Sequence, residues 1–207
     1  MLFWKLKSIK VGRPVAPAMG GTLPSLTRLE YSQLDPNLAA KLEPRVRRLG
    51  YLGEFFKCAG HQPEALAAFM EFTEASKKGL TDNLVETIAL TAANWMGNAY
   101  ERNQHERLAL RLGFDREWVA AINRMAPDSQ QGLPHAERLM QRLVLEVLDT
   151  KGVGAATLLE QTIDELGDAA AVAALMVLGR YVVHGLLVNA LGLKPPVPSI
   201  FEDQFAV

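Results

Sequence analysis

The chain has 207 residues, 49% of them hydrophobic and 22% charged, and a formal net charge of −1. That length supports a core without staples, and the near-neutral balance excludes the basic surface with which proteins neutralise nucleic-acid phosphates. The single cysteine, Cys58, excludes an intrachain disulfide or a Cys-x-x-Cys pair, and with them the dithiol chemistry in which one thiolate attacks and a second resolves.

Residues 1–34 are predicted to form an irregular N-terminal arm. Pro14, Pro17, Gly20, Gly21 and Pro24 interrupt it, and it carries Lys5, Lys7, Lys10, Arg13 and Arg28 with no acid before Glu30. A secretory signal needs an uninterrupted apolar segment, so an arm packed on the domain or on a neighbouring subunit is expected instead. From Asp35, a capping residue followed by Pro36 at the first helical position, residues 35–207 read as helices and turns. No run alternates apolar and polar residues long enough for a strand. The expected fold is a single all-α domain.

In chain order, Val46, Leu49, Gly53 and Phe56 form a helical stripe that ends at Gly60. A second helix is predicted from Pro63 to Lys78, on Leu66, Phe69 and Met70. A third starts near Asn83 and is apolar on most sides through Met96, the pattern of a helix surrounded by other helices. Gly97 is placed to end it and Asn98 to cap the next, which runs to Leu112. A short segment from Asp115 carries Trp118, Val119 and Ile122, and a polar connection spans 127–132. Three helices follow, over 134–150, 155–166 and 168–191, with Asp168 as a cap. Gly192 and Pro195 stop the last, and the tail 195–198 is expected to be extended. The longest apolar run, 169–179, is too short for a bilayer and is followed by Arg180 and His184, so the reading is a cytoplasmic protein that does not enter a membrane.

The ionisable residues concentrate on one helical hairpin. Glu101 and His105 are four apart and share a face that continues through Leu108 and Leu112, which predicts a partly buried pair. Burial raises a carboxyl pKa and lowers an imidazole's, while each charged partner favours charge on the other. Such a couple is expected to titrate near neutrality, where general acid–base catalysis works. Glu86, in the preceding apolar helix, needs a partner, and His105 or Tyr100 is in reach. The plain structural alternative is that Asn83-x-x-Glu86 and Asn98-x-x-Glu101 are capping boxes. His61, His135 and His184 read as turn or core residues, and no metal-ligand pattern, P-loop or dinucleotide fingerprint is present.

The spacing Glu86-x11-Asn98-x2-Glu101-x3-His105 resembles the Glu-x11-Cys-x2-Cys-x3-His motif of the alkylhydroperoxidase D family, with both cysteines replaced. The run from Asn98 through Tyr100 and Glu101 to His105 is similar to the Cys-x-Tyr-Glu-x3-His variant of carboxymuconolactone decarboxylase-like proteins. The resemblance covers the chain from near Pro63 to Leu193, less specifically in the last helix, where it includes Tyr181 and His184. It implies the alkylhydroperoxidase D-like helical bundle, a homo-oligomer (trimer, hexamer or dimer), and no cofactor or metal. It also implies an enzyme that needs no thiol, acting by acid–base chemistry on a small organic acid, lactone or related carbonyl compound. Glu101 and His105 would be the acid–base couple, Glu86 would tune His105, Tyr100 would donate to oxyanion charge, and Asn98 would cap its helix or bind substrate. Peroxidase-related activity and a non-catalytic ligand-binding or assembly role are the alternatives.

Overall fold

Asp35 caps the first helix as its sequence predicts: its Oδ1 accepts from the backbone N–H of Asn37 at 2.9 Å and of Leu38 at 3.1 Å. The computed structural model describes residues 24–129 and 132–202, so most of the expected arm, 1–23, lies outside the described residues. The helices are α1 (Pro36–Leu49), α2 (Glu54–Ala59), α3 (Pro63–Lys77), α4 (Asp82–Trp95), α5 (Ala99–Arg111), α6 (Arg116–Asn123), α7 (His135–Thr150), α8 (Ala156–Leu166) and α9 (Asp168–Ala190). Among the described residues there is no strand, and the all-α expectation holds.

Three local expectations are corrected. The stripe from Val46 to Phe56 is not one helix: Gly50 takes a left-handed conformation at φ 79° and ends α1, and the chain restarts at Gly53 as α2. Thr81 rather than Asn83 occupies the cap position of α4, and the Asn83 amide donates to Glu137 Oε1 at 2.9 Å. The capping box between Asn83 and Glu86 therefore does not form, which leaves the Glu86 carboxylate for another partner. Gly167, at φ 85°, precedes α9 as its cap, with Asp168 as the first helical residue.

The core is organised around α4, which packs against α5, α7 and α9. Ile88, Ala89 and Ala92 of α4 meet Met140, Leu143 and Val144 of α7 and Val177, Leu178 and Tyr181 of α9. A second cluster joins Leu38, Leu42, Phe55, Cys58 and Leu66 to Tyr100 and Val188. A third sets Leu90 and Ala109 against Trp118, Val119, Ile122 and Ile200. At about 25 cal/mol per Å² of apolar area removed from water, such clusters are what offsets the ordering of the chain. By length and apolar character α9 is long enough to cross a bilayer, contrary to the estimate from its apolar run alone. Half of it is buried inside the fold, and Arg180 on it is ion-paired, so its apolar face is used in packing.

Candidate functional site

The site is assembled by the α4–α5 hairpin and completed by α9. Met96 ends α4, and Gly97 reverses the chain at φ 63°, a conformation glycine adopts without steric cost. Asn98 then starts α5, its Oδ1 accepting from the backbone N–H of Glu101 at 3.1 Å. Because the turn is tight, α5 runs back along α4, and Glu86, more than two turns before Gly97, meets His105, about two turns after it.

A continuous chain of charged contacts results. His105 Nδ1 lies 2.8 Å from Glu86 Oε2, and His105 Nε2 lies 3.1 Å from Glu101 Oε2. The other oxygen of Glu101 reaches α9: Oε1 lies 2.7 Å from His184 Nδ1 and 3.2 Å from Arg180 Nη1. The His184 approach is short but does not form an aligned hydrogen bond, so it is a close polar contact. Exposure is 3% for Glu86, 5% for Glu101, 9% for His105 and 4% for His184. The Tyr181 ring packs edge-on against His105 at 5.2 Å, and the Arg180 guanidinium sits 4.4 Å over the same ring.

Burial opposes charge on every member, yet the pairings outweigh it for most of them. Burial pushes the Glu101 carboxyl up, but His184, Arg180 and His105 hold it well below the usual carboxylate range. Burial pushes His105 down, but Glu86 and Glu101 flank both nitrogens and raise its pKa to about 9. For His184 burial wins over the single attraction of Glu101, Arg180 and His105 push the same way, and its pKa falls below the ordinary value. The expectation of a Glu101–His105 couple titrating near neutrality is therefore corrected. At neutral pH the pair rests as carboxylate and imidazolium.

The hairpin thus brings together Glu86, Glu101 and His105. Tyr100 is buried but points into the second core cluster, where its hydroxyl oxygen accepts from the backbone N–H of Phe55 at 3.4 Å. Burial pushes its pKa up to about 12, so it is a neutral hydroxyl. Its ring lies 6.0 Å from His184, and no direct contact joins it to His105. Asn98 serves as the cap, which engages its side-chain oxygen. Carboxylates occupy both nitrogens of His105, and among the described residues no group of three or more His, Cys, Asp or Glu side chains is arranged to hold a metal ion. Arg180 is the member that the sequence did not point to, and His184, expected as a core residue of the last helix, joins it at the site. They are four apart on one face of α9, and that i,i+4 spacing was the available signal.

Residues 63–141 match the sequence model of the carboxymuconolactone decarboxylase family. No curated protein matches the chain significantly. Among solved structures, the chain is similar to a protein of unknown function from Agrobacterium tumefaciens whose name proposes AhpD-type antioxidant defence, with 20% identity and a TM-score of 0.60 over 68% of this chain and 96% of that one. It is also similar to the debrominase Bmp8, with 17% identity over 83% of this chain and 91% of that one. The TM-scores are 0.68 for its ligand-free form and 0.66 for a cysteine-to-alanine variant in complex with 2,3,4-tribromopyrrole. At these identities the likeness concerns the fold, which is the AhpD-like all-α bundle.

Proposed function

We propose that this protein, whose residues 63–141 match the carboxymuconolactone decarboxylase family, performs thiol-independent acid–base chemistry on a small organic acid, lactone or related carbonyl compound. The observation that carries this reading is the buried relay Glu86–His105–Glu101, with charges of opposite sign held in contact away from water. Decarboxylation and lactone isomerisation both need a proton taken or returned beside an activated carbonyl. His105, raised to about 9, holds that proton at neutral pH, Glu86 fixes its ring, and Glu101 links it to α9. A proton moved within this chain changes partner without meeting bulk water. The Asn98 amide nitrogen, on the side chain whose oxygen caps α5, would donate to substrate oxygen.

The solved neighbours carry names of different chemistries, so the reading rests on the site of this chain. Its test is the separate replacement of Glu101 by Gln and His105 by Asn, assayed against a panel of small lactones and keto acids. Folded variants that keep wild-type turnover overturn it in favour of a binding module.

We also infer that the protein is a homo-oligomer. The outward face of α9 exposes Val172, Met176, Val183 and Leu186, with Gly179 between them, at the alternating four- and three-residue spacing of a helix–helix seam. No charged residue interrupts that face between Val172 and Leu187.

A further inference from the structure

Between α2, α3 and α9 lies a cavity of about 410 Å³. Its floor is made by Phe55, Cys58 and Leu66, each 3% exposed, and its mouth is edged by the half-exposed Val183 and Leu187 of α9. Phe69 of α3 completes the wall, its ring 6.3 Å from that of Phe55. None of Glu86, Glu101, His105, Arg180 and His184 lines this cavity. It adjoins the charged relay only across its wall, where Phe55 stacks on His184 at 4.0 Å and Phe69 lies 5.6 Å from the Arg180 guanidinium.

The lining decides the chemistry of an occupant. Among the described residues no acid, lysine or arginine lines the cavity, and its one imidazole, His61, is engaged with the Thr27 carbonyl oxygen at 2.8 Å. An ionised ligand would shed its hydration there with no counter-charge to meet it. Water is held poorly as well, since a confined water needs several polar partners and these walls are almost wholly apolar. Displacing such water with apolar surface favours binding. Phe55 and Phe69 add aromatic surface, against which flat rings pack well. Gln62, exposed at the start of α3, is the one side-chain amide in the wall, so a single hydroxyl or ring N–H on the ligand finds a partner at the edge. The volume is roughly two to three times the ~150 Å³ that accepts benzene, which suits one or two fused rings.

We propose that this cavity is a binding site for a neutral aromatic compound of one or two rings, held by burial and ring packing and not turned over there. The site is separate from the charged relay, so it stands or falls independently of the acid–base chemistry. Its shape favours this occupant over a second copy of the chain. Val183 belongs to the outward face of α9, so a subunit docked on that face borders the mouth. A helix laid across the mouth covers Val183 and Leu187 but leaves the space above Phe55, Cys58 and Leu66 unfilled, and a void loses the contacts that dense packing provides. A compact ring fills that space and takes the exposed parts of Val183 and Leu187 out of water as well.

The test titrates the full-length protein with naphthalene and with 2-naphthoate, the same rings carrying a carboxylate, and follows both by methyl NMR. Naphthalene should shift the methyl groups of Leu66, Val183 and Leu187, and 2-naphthoate should bind more weakly by roughly tenfold or more. Ala65→Phe fills the cavity from the exposed side of α3, and Val183→Trp fills it from α9. Each should weaken naphthalene by roughly tenfold or more in a folded protein, and either variant suffices if the other fails to fold. Leu186→Lys, on α9 but outside the cavity wall, should leave the naphthalene Kd within about threefold. Equal binding of the two probes, shifts confined to the outward face at Val172 and Met176, or unchanged affinity in the filled variants would overturn the site. So would a wild type that binds no naphthalene, and binding that appears only in Leu186→Lys would assign the mouth to a second copy of the chain instead.

Discussion

Glu101 Oε1 lies 2.7 Å from His184 Nδ1, and through this contact the α4–α5 hairpin is tied to α9. Glu101 is shared by two histidines held in opposite protonation states, His105 raised and His184 lowered. A carboxylate so placed differs from one that decorates a helix, because removing it leaves a buried imidazolium and a buried guanidinium short of a counter-charge.

Glu101→Gln and His105→Asn should each lower kcat on the true substrate by roughly 10²-fold or more with the fold retained, and the double variant should be little worse than either single. If these residues only served α5, each change would cost about 1 kcal/mol or less and leave turnover intact. Steady-state kinetics with circular dichroism on the three variants separates the outcomes.

The pH dependence of stability follows from His105. Its folded pKa of about 9 lies above the usual value near 6.5, so the folded state binds the proton more tightly. That stabilisation is fully present below about pH 6.5 and is lost as pH rises through about 9, by up to about 3 kcal/mol. Glu101 acts at the other end, since its depressed pKa gives stability that is lost only as pH falls well below the carboxylate range. Urea unfolding across pH 6–10 should show the alkaline decline, and Glu86→Gln should flatten it. A flat profile in the wild type contradicts the imidazolium assignment.

Cys58 is buried, and burial pushes its thiol pKa up, so it behaves as a small apolar side chain rather than a thiolate. Cys58→Ala should leave turnover within a few-fold and cost about 1 kcal/mol in chemical denaturation. Complete loss of activity in a folded protein would contradict a reaction that needs no sulfur.

Glu106, on the far side of α5 from the relay, is 1% exposed and holds the chain after α9 in place. Its carboxylate accepts from Ser199 Oγ at 2.6 Å, the Ile200 backbone N–H at 3.1 Å and the Asn123 amide at 2.9 Å. Glu106→Ala should destabilise by about 2–4 kcal/mol, because two buried donors and one part-buried donor lose their acceptor. Hydrogen exchange should show residues 197–202 losing protection first.

Light scattering at micromolar concentration should give the mass of a dimer, trimer or hexamer, and Leu186→Lys should shift it towards monomer by placing a charge on the exposed face of α9. A clean wild-type monomer would refute the oligomer.

Local chemistry made much of this molecule readable from its sequence. The all-α class, the hairpin around Gly97, the Asn98 cap and the shared face of Glu101 and His105 follow from periodicity and capping, which act over a few residues. The extra break at Gly50 escaped because a glycine on an apolar stripe reads equally as interior or end until its φ is known. What only the tertiary structure decided is the state of the charges. Whether Glu101 and His105 titrate or stay ionised depends on how many counter-charges reach them in a buried environment. Arg180 is one of them, and it and the neighbouring His184 come from α9, distant in the chain and brought in by its packing on α3, α4 and α8. Tyr100 was diverted the same way, since its ring found Phe55 and the second core cluster before it could reach His105.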